Sequence, residues 1–190
     1  RVAQWQVARL SRLSESVVLV LDEPYLASVG SAILSLPRED VVAALDEIFE
    51  GLPGALCGVH CCANTDWGLV LSSKAAYLSF DAYEYADSLL LYPEAVAAFL
   101  GRGGRIAFGV VPTSPVAIAS ETPESLAARM EGILDRFASR GIPRETVVPS
   151  AAVTPACGLG TLPEDAAERA LRLTEELSAL LRGRYAGGVR

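Results

Sequence analysis

The chain has 190 residues, 51% of them hydrophobic and 21% charged, so it is long enough to bury a core as a single domain (1–190) and too apolar to stay disordered. Its 16 basic and 23 acidic residues leave a formal charge of -7, with no Lys or Arg cluster along one face, which argues against nucleic-acid or anionic-membrane partners. No segment reaches the about 20 consecutive apolar residues of a membrane span, and no basic-then-apolar leader opens the chain, so the expectation is a cytoplasmic protein with small-molecule partners.

Runs rich in Val, Leu and Ile alternate with longer amphipathic stretches, the pattern of βα units and a largely parallel sheet. In chain order the first half predicts helix Val2–Leu13, strand Ser16–Leu21, helix Glu39–Glu50, strand Leu56–Cys62, helix Asp66–Ala75 and strand Tyr77–Asp81. The second half predicts helix Tyr92–Leu100, strand Arg105–Val111, helix Glu124–Arg140, strand Val147–Val153 and helix Glu164–Arg182. Thr122-Pro123 marks one helix start, and Thr161 with Glu164 reads as a capping box. Gly141 and Gly183 read as helix stops, and Gly101 with Gly103-Gly104 as a helix-to-strand turn.

Five βα units fit either a flavodoxin-like open sheet or part of an eight-stranded (β/α) barrel of the TIM type. The predicted strand ends carry Asp22-Glu23, His60 and Cys62, Asp81, Thr113-Ser114 and Cys157, so each unit ends in polar groups. A barrel rim converges such groups on one axis, which favours the barrel.

Of the four cysteines, three fall at Cys57, Cys61 and Cys62, and two of these are adjacent, a spacing suited to ligand or thiol chemistry in a reducing compartment rather than to a disulfide framework. The only histidine, His60, stands two residues from Cys62. Strand alternation turns His60 and Cys62 to one face above the small Gly58, and Cys57 and Cys61 to the other. An imidazole and a thiolate at this spacing suit zinc, although a lone histidine or cysteine is more often structural. Cys157, in a Pro- and Gly-rich turn, and Asp81, the first charge after an apolar run, complete an N, S, O, S donor set. A metal-free thiol cluster is the alternative. Trp67, Tyr83, Tyr85 and Tyr92 follow two of these strand ends and are read as loop packing before pocket walls.

Val20-Leu21-Asp22-Glu23-Pro24, His60-Cys61-Cys62, Leu78-Ser79-Phe80-Asp81 and Pro155-Ala156-Cys157-Gly158-Leu159 occur in the order seen in cobalamin-independent methionine synthase. Over nearly its whole length the chain resembles the C-terminal catalytic barrel of that family, within the superfamily that includes uroporphyrinogen decarboxylase and corrinoid-linked methyltransferases. The resemblance implies a zinc-dependent methyltransferase acting on a thiol, homocysteine first, in methionine synthesis. It places His60, Cys62 and Cys157 on zinc ligands and Asp22 beside the substrate's amino group. The family's oxygen ligand is a glutamate, so Asp81 stands there one methylene shorter, with Glu84 as the alternative.

Where the family carries a proton-delivering histidine, this chain has Pro112-Thr113-Ser114. With no second histidine and no folate-binding half in these 190 residues, a methylated corrinoid protein joins methylfolate as a candidate methyl donor. The resemblance maps the five strands onto the last five of eight, so residues before Arg1, a completing chain or a second copy are expected to close the barrel. Two other classes stay open: a metal-free superfamily member related to uroporphyrinogen decarboxylase, and a non-catalytic barrel that binds zinc or a ligand. The first wants cavity arginines from early strands, which this sequence does not contain.

Overall fold

The structure, a computed structural model, describes residues 1–30 and 35–185. Helix α1 (Val2–Leu10) precedes β1 (Val17–Asp22), a 3-10 turn at Pro24–Ser28, α2 (Arg38–Glu50), β2 (Ala55–Cys61), α3 (Trp67–Ser72) and β3 (Tyr77–Phe80). Then come α4 (Ala82–Leu89), α5 (Pro93–Gly101), β4 (Arg105–Val111), α6 (Pro115–Ser120), α7 (Pro123–Ser139), α8 (Arg144–Val147), a 3-10 turn at Val148–Ser150, β5 (Ala151–Pro155) and α9 (Glu164–Tyr185). The five strands form one sheet in the order β1-β2-β3-β4-β5, every neighbour parallel. The α/β class is as expected. Strand order follows chain order without reversal, so the sheet has none of the switch points that define a doubly wound fold and is compatible with an arc of a βα barrel.

One face of the sheet is the core. Val59, Cys61, Leu78, Phe80, Ile106 and Phe108 are all 0% exposed on it. An aromatic ladder runs across this face from α3 to α7, with Trp67–Phe80, Phe80–Phe108 and Phe108–Phe137 centroids 5.6, 5.7 and 5.7 Å apart in edge-to-face geometry. The opposite face is less covered: Val18 and Asp22 are exposed, and Val20, Leu56, His60, Tyr77 and Ser79 are half-buried. Two glycines on that face are fixed by close approach. A Cβ at Gly58 would lie 2.1 Å from the Tyr77 carbonyl oxygen, and one at Gly109 2.6 Å from that of Phe80.

Several local expectations hold and others are corrected. Thr122 caps α7 as read, and its box partner is Ser125, whose hydroxyl accepts from the Thr122 N–H at 2.9 Å. Gly141, at φ +83, follows the end of α7. The last strand, however, is Ala151–Pro155 rather than Val147–Val153, because Pro149 has no N–H to donate to a ladder and Arg144–Ser150 turn helically instead. Helix α9 begins at Glu164 as read, but Thr161 lies in a turn rather than at the N-cap position, since Pro163 pushes the residue before it out of helical conformation. Gly183 does not stop α9, which runs through it to Tyr185. Helix α1 ends at Leu10 rather than Leu13, and the short helices α4, α6 and α8 have too few turns to show a period in the sequence.

Truncating Phe108 to Ala removes the middle of the ladder and should lower the unfolding free energy by about 3–5 kcal/mol. Gly58→Ala should lower it by about 1–3 kcal/mol through overpacking against Tyr77. Urea melts measure both, and a Gly58→Ala variant as stable as the parent would contradict the β2–β3 spacing.

Candidate metal centre

At the C-terminal end of β2, alternation sorts the side chains as the sequence suggests. Cys57 and Cys61, 5% and 0% exposed, turn to the helices, and burial pushes both thiols up from their ordinary pKa. His60 lies on the less covered face, opposite Asp22 of β1 and Ser79 of β3 in the strand register. Its Nδ1 is 2.9 Å from Ser79 Oγ. Burial lowers the imidazole pKa, against the opposing pull of the Asp22 and Asp81 charges, so the ring is held toward its neutral form. In the tautomer that donates from Nδ1 to Ser79 Oγ, Nε2 presents a lone pair. That Nε2 is buried and has no hydrogen-bond partner.

Two thiols stand beside it. Cys62 is the first residue after β2 and Cys157 lies in the turn after β5, both half-buried, and the ligand atoms of His60, Cys62 and Cys157 all fall within 4.8 Å of one another. Burial raises the Cys62 thiol and the neighbouring Cys157 raises it further, as two sulfurs crowding one position should. The residues fit a metal ion. One nitrogen and two sulfurs match the preference of zinc, whose bonds run about 2.0–2.3 Å, and the orphaned Nε2 is the kind of buried atom that demands a partner.

The expected oxygen donor is not in this cluster. Asp81 Oδ1 accepts the Glu84 N–H at 2.9 Å and so caps α4, a role that a sequence reading centred on the metal did not assign. Asp81 remains close enough to His60 for its charge to be felt, yet burial dominates and raises its carboxyl pKa. Glu84, the alternative, is exposed and also lies outside the cluster. Asp22 is exposed at the end of β1, next to His60.

Ser79 is the residue that sequence reasoning passed over. Alternation from Asp81 already puts it on the site face, and the parallel register then brings it to His60. Thr154, paired with Gly109 of β4, carries another buried and unpartnered polar atom, Oγ1, and no sequence signal marks it. The aromatic residues nearby are packing groups: Trp67 is fully buried with Nε1 donating to Ser88 Oγ at 2.8 Å, and the Tyr83 hydroxyl donates to Glu121 Oε1 at 2.7 Å. Comparison with protein-family models and with curated proteins gives no match to this chain.

Because burial raises the Asp81 pKa, the folded state binds that proton more tightly than the unfolded one, and stability falls as pH rises from the ordinary aspartate value through the raised one. Asp81→Asn keeps an acceptor for the cap without a charge and should lose this slope. Asp81→Ala should lose the cap, about 0.5–2 kcal/mol. Thermal melts across acidic pH test both, and parallel profiles for the parent and Asp81→Asn would refute the burial effect.

Proposed function

We propose that the chain is an arc of a (β/α) barrel that holds zinc on His60, Cys62 and Cys157 and transfers a methyl group to a thiol. The observation that carries the reading is that His60, whose Nε2 is buried and unpartnered, has its ligand atom within 4.8 Å of two thiols, one following β2 and one following β5. Structural zinc sites are closed by four protein ligands, whereas catalytic ones keep a position for water or substrate. Among the described residues three donors converge here, which favours the open kind. When bound, zinc supplies the Lewis acidity that keeps a substrate thiol as its nucleophilic thiolate at neutral pH.

The protein's own groups have distinct parts. In the tautomer that donates from Nδ1 to Ser79 Oγ, the Nε2 lone pair is left for the metal. Cys62 and Cys157 give up their protons on binding the metal, which makes affinity rise with pH. Asp22, exposed beside His60, is the residue to which the resemblance assigns the ammonium of an amino-acid thiol such as homocysteine. Asp81 adds negative charge near the imidazole while it holds the start of α4. The methyl donor is methylfolate or a methylated corrinoid protein, as the resemblance suggests, and sequential parallel strands with one open face support the barrel.

Protein purified without chelator should carry close to one zinc per chain, and added homocysteine should add a sulfur to the metal's coordination in X-ray absorption. Cys62→Ser and Cys157→Ser should each abolish stoichiometric binding, while Cys57→Ser and Cys61→Ser keep it per folded chain. Ser79→Ala should weaken zinc affinity about 10–100-fold. Absence of zinc that added metal does not remedy would sink the proposal, and a coordination sphere indifferent to homocysteine would reduce the site to a structural one.

A further inference from the structure

The two thiols that meet at the centre are also the two that solvent reaches. Cys62 and Cys157 are half-buried, whereas Cys57 and Cys61 are sealed under the helices. Their Sγ atoms lie within 4.8 Å of each other, and both residues sit just beyond strand ends, where a side chain can swing without breaking a ladder bond. The other pairings are blocked. Cys61 is bonded to Cys62 in sequence but faces the opposite side of the sheet, with its thiol directed to the Ala63 carbonyl at 3.6 Å. Cys57 and Cys61 share a face but stand four strand residues apart, about 13 Å, far beyond disulfide reach.

We propose that Cys62 and Cys157 form a reversible disulfide that closes the centre to metal, a redox gate built from the ligands themselves. The disulfide stands on the geometry of the two thiols; its consequence for the metal rests on the zinc reading above. With hydrogen peroxide as oxidant, one sulfur attacks a peroxide oxygen, the O–O bond breaks, and a sulfenic acid and one water result. The second sulfur then attacks the sulfenic sulfur, the S–O bond breaks, and the oxygen leaves as a second water with the remaining thiol proton. In total two thiols give two electrons and two protons to one peroxide, and a dithiol reductant reverses the change. The linked sulfurs are no longer anionic donors, which leaves His60 Nε2 alone at the centre.

The test uses the full chain, reduced and desalted, with and without bound zinc. Stoichiometric peroxide should take the free-thiol count from four to two, peptide mapping should find Cys62 linked to Cys157, and dithiothreitol should restore all four. In the zinc-loaded sample a chromogenic chelator should report metal release in step with thiol loss, and zinc offered after oxidation should not be taken up. Four thiols surviving peroxide, a link through Cys57 or Cys61, or zinc retained once Cys62 and Cys157 are joined would each overturn the proposal. If the reduced chain takes up no zinc at all, the methyltransferase reading fails, and the thiol count and peptide map still decide the disulfide.

Discussion

The register between β2 and β3, which sets His60 opposite Ser79 while Val59 and Cys61 pack beneath the helices, is the constraint on which the centre depends. Side chains alternate with a period of two, so a slip of one residue would carry His60 into the apolar layer and bring Cys61 to the open face. The slip is resisted by burial: Val59, Leu78 and Phe80 are fully covered, each worth about 1.5–3 kcal/mol relative to exposure. Gly58 tightens the constraint, because the near contact with Tyr77 fits only a residue without Cβ at that height in the sheet. The chemistry of the rim therefore inherits its precision from the apolar layer below it.

The same burial creates a conflict at His60. A ring nitrogen removed from water without a partner costs about 1–3 kcal/mol, and the chain accepts this at Nε2 while satisfying Nδ1 through Ser79. Desolvation resolves part of it by favouring the neutral ring. The nearby carboxylates of Asp22 and Asp81 do not neutralise the site by protonating it; their pull on the imidazole is smaller than the burial effect. A local rule broken at one atom, with the surrounding layer well packed, is what the proposed metal centre requires.

How much of this was legible in the sequence divides by the range of the interaction. Strand alternation within Leu56–Cys62 was enough to separate His60 and Cys62 from Cys57 and Cys61, because the two faces are set by the local backbone. The order of the βα units was visible in apolar periodicity for the same reason. The cap that Asp81 gives α4 is not legible in the sequence, because that helix of eight residues is too short and too kinked at Tyr85 to announce itself. The start of β5 was missed where a β-branched pair, Val147-Val148, looked extended and the lack of an N–H on Pro149 outweighed that propensity. Ser79 needed no more than the alternation already applied to His60, but its role appears only once the register of two strands is known.

Cys157 is the part of the centre that the tertiary fold must supply. His60 and Cys62 lie two residues apart on one strand end and are organised locally, whereas Cys157 reaches them across the sheet from β5. Its strand is held on one side by the β4 ladder, which shifts register between Gly109 and Val111, and its approach is braced by Arg144 of α8, paired with Glu131 and Asp135 of α7. Tyr185 of α9 joins that brace through Glu131 at 2.9 Å. An unfolded chain keeps the close pair but loses the third donor, so a ligand that needs all three binds the folded state selectively. Such a ligand at one hundred times its dissociation constant stabilises the fold by about 2.7 kcal/mol, and it does so by tying the end of β2 to the turn after β5.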